Sequence, residues 1–398
     1  MRRIADRLPL LAGFLLTANI YFMPWSASSP RGTDVFGMVF ALWIVARLAR
    51  GRQRPGPLVA AGLALIMPVV WLVLGVAAGD AATVVASARW LPAAAWAVAL
   101  PALLPDAAAK DRFAWGMLAG CAVGVGVLMM QMAGLESLLR LVGLSSAGAA
   151  FHHYVGNSLR MPGLHGHHNA SATVISLAVP VVMHLYFRGR CRLPVVGLAL
   201  LGFLAAAHVT STRGPVVAMI PTLAYAFVGA RQAARGVLLG VGVMSVLLPL
   251  LVVVGPPGGW SRWRDPSAIS ANSNERFTST AGAVDLAFNH PLGLGVTRGE
   301  DILFDRTGSS ATHNAFAQAA LKWGMPLALA VLLGVLGAVA LGPLGAGRPH
   351  MLEGLLACQT AGVFMFEEHL NNPTFMILAM WMMVVTATAR RRGRAAAP

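Results

Sequence analysis

The most constraining feature of this sequence is a series of apolar stretches, each close to twenty residues long, that recur along the whole chain. Leu58–Ala78 and Gly236–Val254 contain no charged residue. A helix of about twenty residues spans the roughly 30 Å hydrocarbon core of a bilayer. Only 11% of the 398 residues are charged, whereas soluble domains contain about 25%. The sequence therefore predicts an all-α polytopic membrane protein.

These stretches predict about twelve transmembrane helices in a single integral membrane domain, residues 1–398. Arg89, Pro92 and Pro101 lie in the fourth stretch and predict a broken or tilted helix, because proline removes a backbone hydrogen bond. Leu8–Trp25 follows three arginines but ends in aromatic residues without a small-residue cleavage site, which favours a retained span over a signal peptide. The predicted spans are 8–24, 34–49, 57–79, 82–104, 113–134, 169–187, 193–209, 214–229, 235–254, 313–342, 350–366 and 372–389.

The basic residues predict the orientation of the spans. If both termini are cytoplasmic, the short cytoplasmic segments contain most of the 30 lysines and arginines, as the positive-inside rule requires. The net charge of +15 is then mainly a topology signal, so nucleic acid is not an expected partner, and membrane lipids surround the spans. The cytoplasmic basic residues are Arg2, Arg3, Arg7, Arg47, Arg50, Arg52, Arg54, Lys110, Arg112, Arg188, Arg190, Arg192, Arg231, Arg235, Arg348, Arg390, Arg391, Arg392 and Arg394.

Two segments on the opposite, outer side are too long to be simple turns: residues 135–168 and 255–312. Long polar loops of this kind usually carry function. The second loop lies between spans nine and ten, and the pattern from Arg276 to Phe288 predicts a short amphipathic helix lying on the membrane. Five histidines between His152 and His168 suggest metal binding, but their spacing matches no zinc signature. We therefore predict a polar loop there, with no metal and no other cofactor.

Two residues at the outer ends of spans are candidates for chemistry. Arg213 lies in the tight turn between two apolar spans, where arginine is costly and tends to be functional. Its guanidinium suits phosphate oxygens, although it could instead extend to water as an interfacial side chain. His313 opens the tenth span, where the helix dipole would favour a neutral imidazole. Such an imidazole can act as a general base, and the alternative is a capping histidine.

Other polar residues at the outer side are less distinctive. Arg276 and Arg298 lie among several arginines and carboxylates of the 255–312 segment, where most charges simply solvate the loop. Glu367 and Glu368 end the eleventh span. Either they balance the arginines, orient a histidine or contact an acceptor sugar, or they form a solvated helix end.

The order of these motifs resembles the bacterial O-antigen ligase and polymerase family (WaaL and Wzy). The resemblance covers residues 150–330 by motif and the whole chain by span count. It implies glycosyl transfer at the periplasmic face of the bacterial inner membrane during lipopolysaccharide biosynthesis. The donor would be a glycan on undecaprenyl diphosphate and, in the ligases, the acceptor a sugar of the lipid A–core oligosaccharide. The motifs are Arg160, Gly163 and Asn169; Ser211–Gly214; Arg276 and His290–Gly295; and His313–Asn314 before Gly324.

The resemblance also implies roles for individual residues. His313 takes the place of the essential histidine, Arg213 and Arg276 the places of the diphosphate-binding arginines, and Arg160 a further basic position. The 255–312 segment corresponds to the large periplasmic loop of metal-independent, membrane-embedded glycosyltransferases that use polyprenyl phosphates. Displacement with a single base would invert the anomeric centre. Residues expected to support the site or contact the acceptor are Asn314, Glu367, Glu368 and Arg298.

Three functions remain open at this point. The preferred one is the ligase; the second is the polymerase of the same family, which extends the glycan on the same carrier. The third belongs to another class, a transporter or lipid flippase. Transporters place ionisable residues near mid-membrane, often in repeated halves, whereas this chain gathers its polar residues at the outer side and shows no evident repeat.

Overall fold

The structure, a computed structural model, describes residues 2–25, 30–149, 152–153, 159–229, 266–341 and 350–395; the predicted ninth span, 235–254, lies outside them. The described part is helical apart from one short antiparallel pair, β1 (His152–His153) and β2 (Leu159–Arg160). The helices are α1 (Arg2–Thr17), α2 (Gly32–Ala49), α3 (Pro55–Ala78), α4 (Ala81–Ala88), α5 (Trp90–Leu103), α6 (Ala107–Met132), α7 (Glu136–Leu141), α8 (His168–Ile175), α9 (Ala178–Phe187), α10 (Leu193–Val209), α11 (Gly214–Gly229), α12 (Pro266–Asn289), α13 (Val296–Thr307), α14 (Ala315–Trp323), α15 (Met325–Leu341), α16 (Met351–Phe366) and α17 (Pro373–Ala395).

Many of these helices are apolar. By length and composition, five helical stretches of the described residues could cross a membrane: Gly32–Ala49, Pro55–Ala78, Ala81–Leu103, Ala107–Met132 and His168–Phe187. Shorter apolar helices lie at Arg7–Thr17, Leu193–Val209, Gly214–Ala226, Met325–Leu341, Met351–Phe366 and Pro373–Ala389. The coarse expectation of a helical protein with membrane-spanning helices is supported, and the total of twelve spans stays a prediction.

The helix boundaries differ from the prediction where the apolar runs are interrupted. The first helix ends at Thr17, so the rest of the predicted span 8–24 is not helical. The fourth span divides at Arg89, as its composition predicted. The predicted tenth span, 313–342, is wrong at its start, because helix begins only at Ala315 and a second helix follows Gly324.

In their described residues, the segments 135–168 and 255–312 contain more regular structure than loops. Residues 266–289 form a helix of 24 residues, longer than the short amphipathic helix predicted there. A second helix, α13, fills much of the remainder, and residues 255–265 lie outside the described part. The 135–168 segment contains α7, the β1–β2 pair and a 3₁₀ turn at Gly163–His165.

The chain divides into two compact units. The first unit consists of Met1–Gly32, Leu103–Ile269 and Gly342–Gly362. The second consists of Thr33–Ala102, Ser270–Leu341 and Val363–Pro398.

Close backbone approach through small residues characterises the packing inside the first unit. Helices α1 and α6 cross where a Cβ atom at Gly116 would overlap the Leu10 carbonyl oxygen. At the same crossing, the Thr17 hydroxyl donates to the Met117 carbonyl at 2.9 Å. Small residues and interhelical hydrogen bonds replace the hydrophobic driving force inside a bilayer, so this contact fits a pair of membrane helices.

The second unit shows similar packing and one less regular contact. The Thr386 hydroxyl of α17 donates to the Gly334 carbonyl of α15 at 3.0 Å. The turn His290–Gly295, one of the sequence motifs, pairs with the chain around the α14–α15 break. Its three backbone hydrogen bonds are Leu294 N to Leu321 O at 2.8 Å, Gly295 N to Lys322 O at 3.1 Å, and Met325 N to Pro291 O at 2.9 Å.

Candidate functional site

The candidate site of the second unit centres on the loop before α14. Asn314 is the N-cap of that helix, and its side-chain oxygen accepts hydrogen bonds from the backbone N–H groups of Phe316 and Ala317, both at 3.0 Å. These bonds satisfy N–H groups that the first helical turn leaves without helical partners. His313 immediately precedes the cap, so its side chain lies beside the positive end of α14 rather than within the helix.

The backbone at His313 is strained. Its φ is +49°, and His313 and Ser211 are the two non-glycine residues with positive φ in the described part of the chain. Such conformations cost about 1–3 kcal/mol and persist where the surroundings fix them, often at functional sites.

Contacts with the preceding residue, Thr312, hold this loop in place. The Thr280 hydroxyl of α12 donates to the Thr312 carbonyl at 2.6 Å. The backbone N–H of Thr312 donates to Glu368 Oε2 at 3.1 Å. Two chain segments distant in sequence therefore fix the loop on both sides.

Arg276 lies one helical turn before Thr280, on α12. Its Nη1 donates to the Phe366 carbonyl at 2.6 Å, and its Nη2 lies 3.6 Å from Glu367 Oε1. The Arg276 side chain remains 32% exposed, whereas that of Glu367 is 4% exposed. The buried carboxylate therefore orients a guanidinium that still reaches the surface.

The electrostatics around His313 favour a neutral imidazole. Burial lowers the pKa of His313, and the positive charge of Arg276 lowers it further, while Glu275 acts in the opposite direction. Among the described residues, the half-buried imidazole forms no hydrogen bond. The direction of the shift agrees with the expectation, but the causes are burial and a nearby arginine. A neutral imidazole beside a permanent cation can accept a proton near pH 7.

A second group of charges lies behind this loop. Burial raises the pKa of Glu368, although the charge of Lys322 and the hydrogen bond from Thr312 act against this. The Lys322 side chain is only 2% exposed, and its Nζ lies 2.5 Å from Glu300 Oε1. Lysine is almost never fully buried without a partner, so this ion pair is part of the structure that supports the loop.

The arginines of the first unit form a separate arrangement. Arg160 Nε donates to the Thr210 carbonyl at 2.8 Å, and its Nη2 donates to the Ser211 carbonyl at 3.1 Å and to Asn169 at 3.3 Å. Ser211 has a φ of +52°. These contacts make Arg160 a support for the turn that carries Arg213.

The structure thus sorts the predicted site residues into two groups. Arg276, His313, Asn314, Glu367 and Glu368 come together in the second unit. Arg160 and Arg213 come together in the first.

Arg298 belongs to neither group. It is exposed on α13 and makes no hydrogen bond or ion pair with other described residues. It lines a shallow pocket of about 500 Å³ together with Gly79, Asp80, Ala81, Ala82, Thr297 and Asp301.

Sequence reasoning missed Thr280 and the buried Lys322. Thr280 gives no local signal, because its partner Thr312 is 32 residues away. A lysine within the apolar stretch of α14 was a visible irregularity that could have identified Lys322.

The histidine-rich segment suggests a metal site because it contains five histidines. In the described part of the chain, however, no three His, Cys, Asp or Glu side chains group as metal ligands would. His165 Nε2 lies 3.2 Å from the Thr17 carbonyl oxygen, and the rings of His167 and His168 lie 4.1 Å apart. The side chains of His152 and His153 lie outside the described part.

Comparison of the sequence with known protein families and with curated proteins finds no match.

Proposed function

We propose that this protein is a membrane-embedded glycosyltransferase of the O-antigen ligase type. It transfers a glycan from undecaprenyl diphosphate to a sugar of the lipid A–core oligosaccharide. The observation that carries the proposal is the grouping of His313, Arg276, Glu367 and Glu368 around the loop before α14 in the second unit, where Arg276 and burial also lower the pKa of His313. This places a neutral base beside a cation that stays charged, and glycosyl transfer from a diphosphate needs both.

The reaction follows from these two groups. An acceptor hydroxyl loses its proton to the His313 imidazole as its oxygen bonds to the anomeric carbon of the donor. The bond between that carbon and the diphosphate oxygen breaks, and the electron pair leaves with the diphosphate. Arginines placed beforehand stabilise this developing negative charge. Because one displacement occurs without a covalent intermediate, the anomeric configuration is inverted.

The remaining residues take supporting roles in this proposal. Arg276 contacts the diphosphate, since a guanidinium offers a planar set of donors for phosphate oxygens. Arg213 keeps the diphosphate-binding role that the sequence resemblance implies for it. Glu367 orients Arg276, and Glu368 holds the backbone of the His313 loop. Arg160 supports the Arg213 turn. Arg298 remains a candidate for contacting the acceptor, because it is exposed beside a pocket.

The location follows from the predicted topology. The protein lies in the bacterial inner membrane with both termini in the cytoplasm and the site at the periplasmic face. The lipid tails of donor and acceptor lie among the apolar helices.

The test is complementation of cells that lack their own O-antigen ligase but still make the carrier-linked glycan. Lipopolysaccharide is extracted and separated on a gel. The intact chain should restore the ladder of glycan-bearing lipopolysaccharide, and His313→Ala, Arg276→Ala and Arg213→Ala should lose it.

Matched control variants separate a site effect from general damage. His290→Ala removes an exposed histidine of the same segment. Arg306→Ala removes an exposed arginine that pairs with Asp285 at 2.6 Å. Both should retain the ladder at similar protein levels. If the intact chain leaves only bare core while carrier-linked glycan accumulates, the ligase proposal is wrong, and longer carrier-linked glycan would indicate a polymerase.

A further inference from the structure

Helix α12 carries an exposed apolar stripe that the proposed chemistry does not use. Phe277, Val284 and Phe288 are 76%, 40% and 69% exposed. Their spacing of seven and four residues places them on one face of the helix. Large aromatic side chains rarely form a row exposed to water without a binding role.

The opposite face of α12 packs against the rest of the second unit. Ala283 and Leu286 are buried in a cluster with Leu294, Leu303 and Leu321. The helix is therefore held in a defined rotation, and the stripe points away from that cluster. Helix α12 is not among the helices apolar enough to span a membrane. A transmembrane position therefore does not explain why its apolar stripe is exposed.

The turn that follows α12 is hydrogen-bonded to a candidate membrane span. The Trp71 indole N–H donates to the Leu292 carbonyl at 2.8 Å. Trp71 lies within α3, which ends at Ala78, so the contact is roughly 10 Å below that end at 1.5 Å per residue.

The surface of α3 at this level is apolar and exposed. Val70, Val73 and Leu74 flank Trp71, and each is more than 40% exposed. Leu292 itself is 65% exposed. In a membrane span, such side chains face lipid. Leu292, four residues after Phe288, is therefore adjacent to the lipid-facing surface of α3.

We infer that α12 is an interfacial helix whose Phe277–Val284–Phe288 stripe inserts among the lipids of the outer leaflet. The stripe continues the lipid-facing surface of α3 through Leu292. Aromatic side chains on one face of a helix and charged residues beside them are typical of helices that lie in the membrane interface. Asp285 flanks the stripe and is exposed. Insertion would hold Arg276 at the membrane surface.

The experiment measures lipid contact directly in the full-length protein. The three native cysteines, Cys121, Cys191 and Cys358, are replaced by alanine. Single cysteines are then introduced by Phe277→Cys, Val284→Cys and Phe288→Cys, with Asp285→Cys and Asn289→Cys as exposed controls on the same helix. Each is labelled with a nitroxide and reconstituted into vesicles of phosphatidylethanolamine and phosphatidylglycerol. Collision rates with oxygen, which concentrates in lipid, and with a water-soluble nickel chelate are measured by electron paramagnetic resonance.

At positions 277, 284 and 288, the ratio of oxygen to nickel collision rates should be several times that at 285 and 289. An equal ratio at all five positions would place the stripe in water and overturn the inference. Low collision rates with both reagents at the three stripe positions would overturn it as well, because they indicate cover by protein.

A second measurement avoids the cysteine-free background. Because the native chain already has ten tryptophans, the emission of an added tryptophan is taken as the difference from the native chain. By this difference, Phe277→Trp and Phe288→Trp should show stronger quenching by brominated lipids than Asp285→Trp. Equal quenching contradicts the inference. Because neither readout depends on glycosyl transfer, a failure here is distinguishable from a failure of the proposed function.

Discussion

The substitution Gly324→Ala tests the contact between two sequence motifs, the His290–Gly295 turn and the break between α14 and α15. Gly324 has φ +95° and ψ 161°, a region that is essentially restricted to glycine. A Cβ atom there would lie 2.7 Å from the carbonyl carbon of Leu292 and 2.8 Å from the Pro291 oxygen. Because both neighbours are backbone atoms, no flexible side chain can move aside.

The expected loss has two parts. The disfavoured conformation costs about 1–3 kcal/mol. Relief of the overlap requires the turn to move away from the α14–α15 break, which weakens the three backbone hydrogen bonds between these segments. Each is worth about 1 kcal/mol. If all three are lost, the free energy of unfolding should therefore fall by about 4–6 kcal/mol.

Equilibrium unfolding in mixed detergent micelles with increasing sodium dodecyl sulfate, followed by circular dichroism, measures this loss. Two other glycines separate its parts. Gly308 has a φ of +75° but open space around it, and Gly62 has open space and no positive φ. Gly308→Ala should lose about 1 kcal/mol, and Gly62→Ala should lose none. If Gly324→Ala is no worse than Gly308→Ala, the close approach of the two segments is not what fixes this site.

Three further outcomes follow from the same geometry. Since burial and Arg276 lower the pKa of His313, transfer activity should fall only as the pH drops through that lowered value. The residual activity of Arg276→Gln, measured in vitro at saturating donor, should have this acid limb at higher pH, and an unshifted limb would show that Arg276 does not act on His313. Glu368→Ala removes the acceptor of the Thr312 N–H group and should slow transfer about 10- to 150-fold, because a hydrogen bond to a charged group is worth about 1.5–3 kcal/mol. Glu368→Gln, which keeps an acceptor oxygen, should recover most of the rate, and equal rates for the two variants would contradict the positioning role. Gly116→Val should reduce the folded fraction in size-exclusion chromatography, because its side chain would overlap the Leu10 backbone, whereas Gly126→Val on the same helix meets open space and should not; equal yields would contradict the close crossing of α1 and α6.

Most of the apolar helices in the described part of the chain were predictable, because apolar runs of membrane-spanning length have few alternative structures. The prediction failed where local backbone chemistry interrupts such a run. The tenth predicted span looks continuous in hydropathy, yet Gly324 divides it because the chain there adopts a glycine-only conformation. The 24-residue helix α12 was also underestimated. Its sequence is too polar for a span, and the partners of its buried face lie far along the chain.

The residues proposed to carry the chemistry of the candidate site were predictable from the sequence. The residues that hold their loops in place were not. His313, Arg276 and Arg213 are unusual residue types at the ends of apolar stretches, so their positions alone draw attention. Their supports come from elsewhere in the sequence. Glu368 contacts Thr312 across 56 residues, and Arg160 contacts Ser211 across 51. Hydrophobic periodicity and motif spacing in a single sequence do not predict hydrogen bonds between residues this far apart.

The strained residues connect these two observations. Ser211 and His313 both adopt positive φ without being glycine. His313 is itself proposed to act on the acceptor hydroxyl, and Ser211 lies two residues before Arg213, which is proposed to bind the diphosphate. Local propensity disfavours both conformations, so the turns persist only because distant side chains bond to the adjacent carbonyl and N–H groups. Arg160 supplies these bonds at the first turn, and Thr280 and Glu368 supply them at the second. A loop supported in this way holds its side chain in one position, which is what preorganised electrostatic catalysis of the proposed reaction would require.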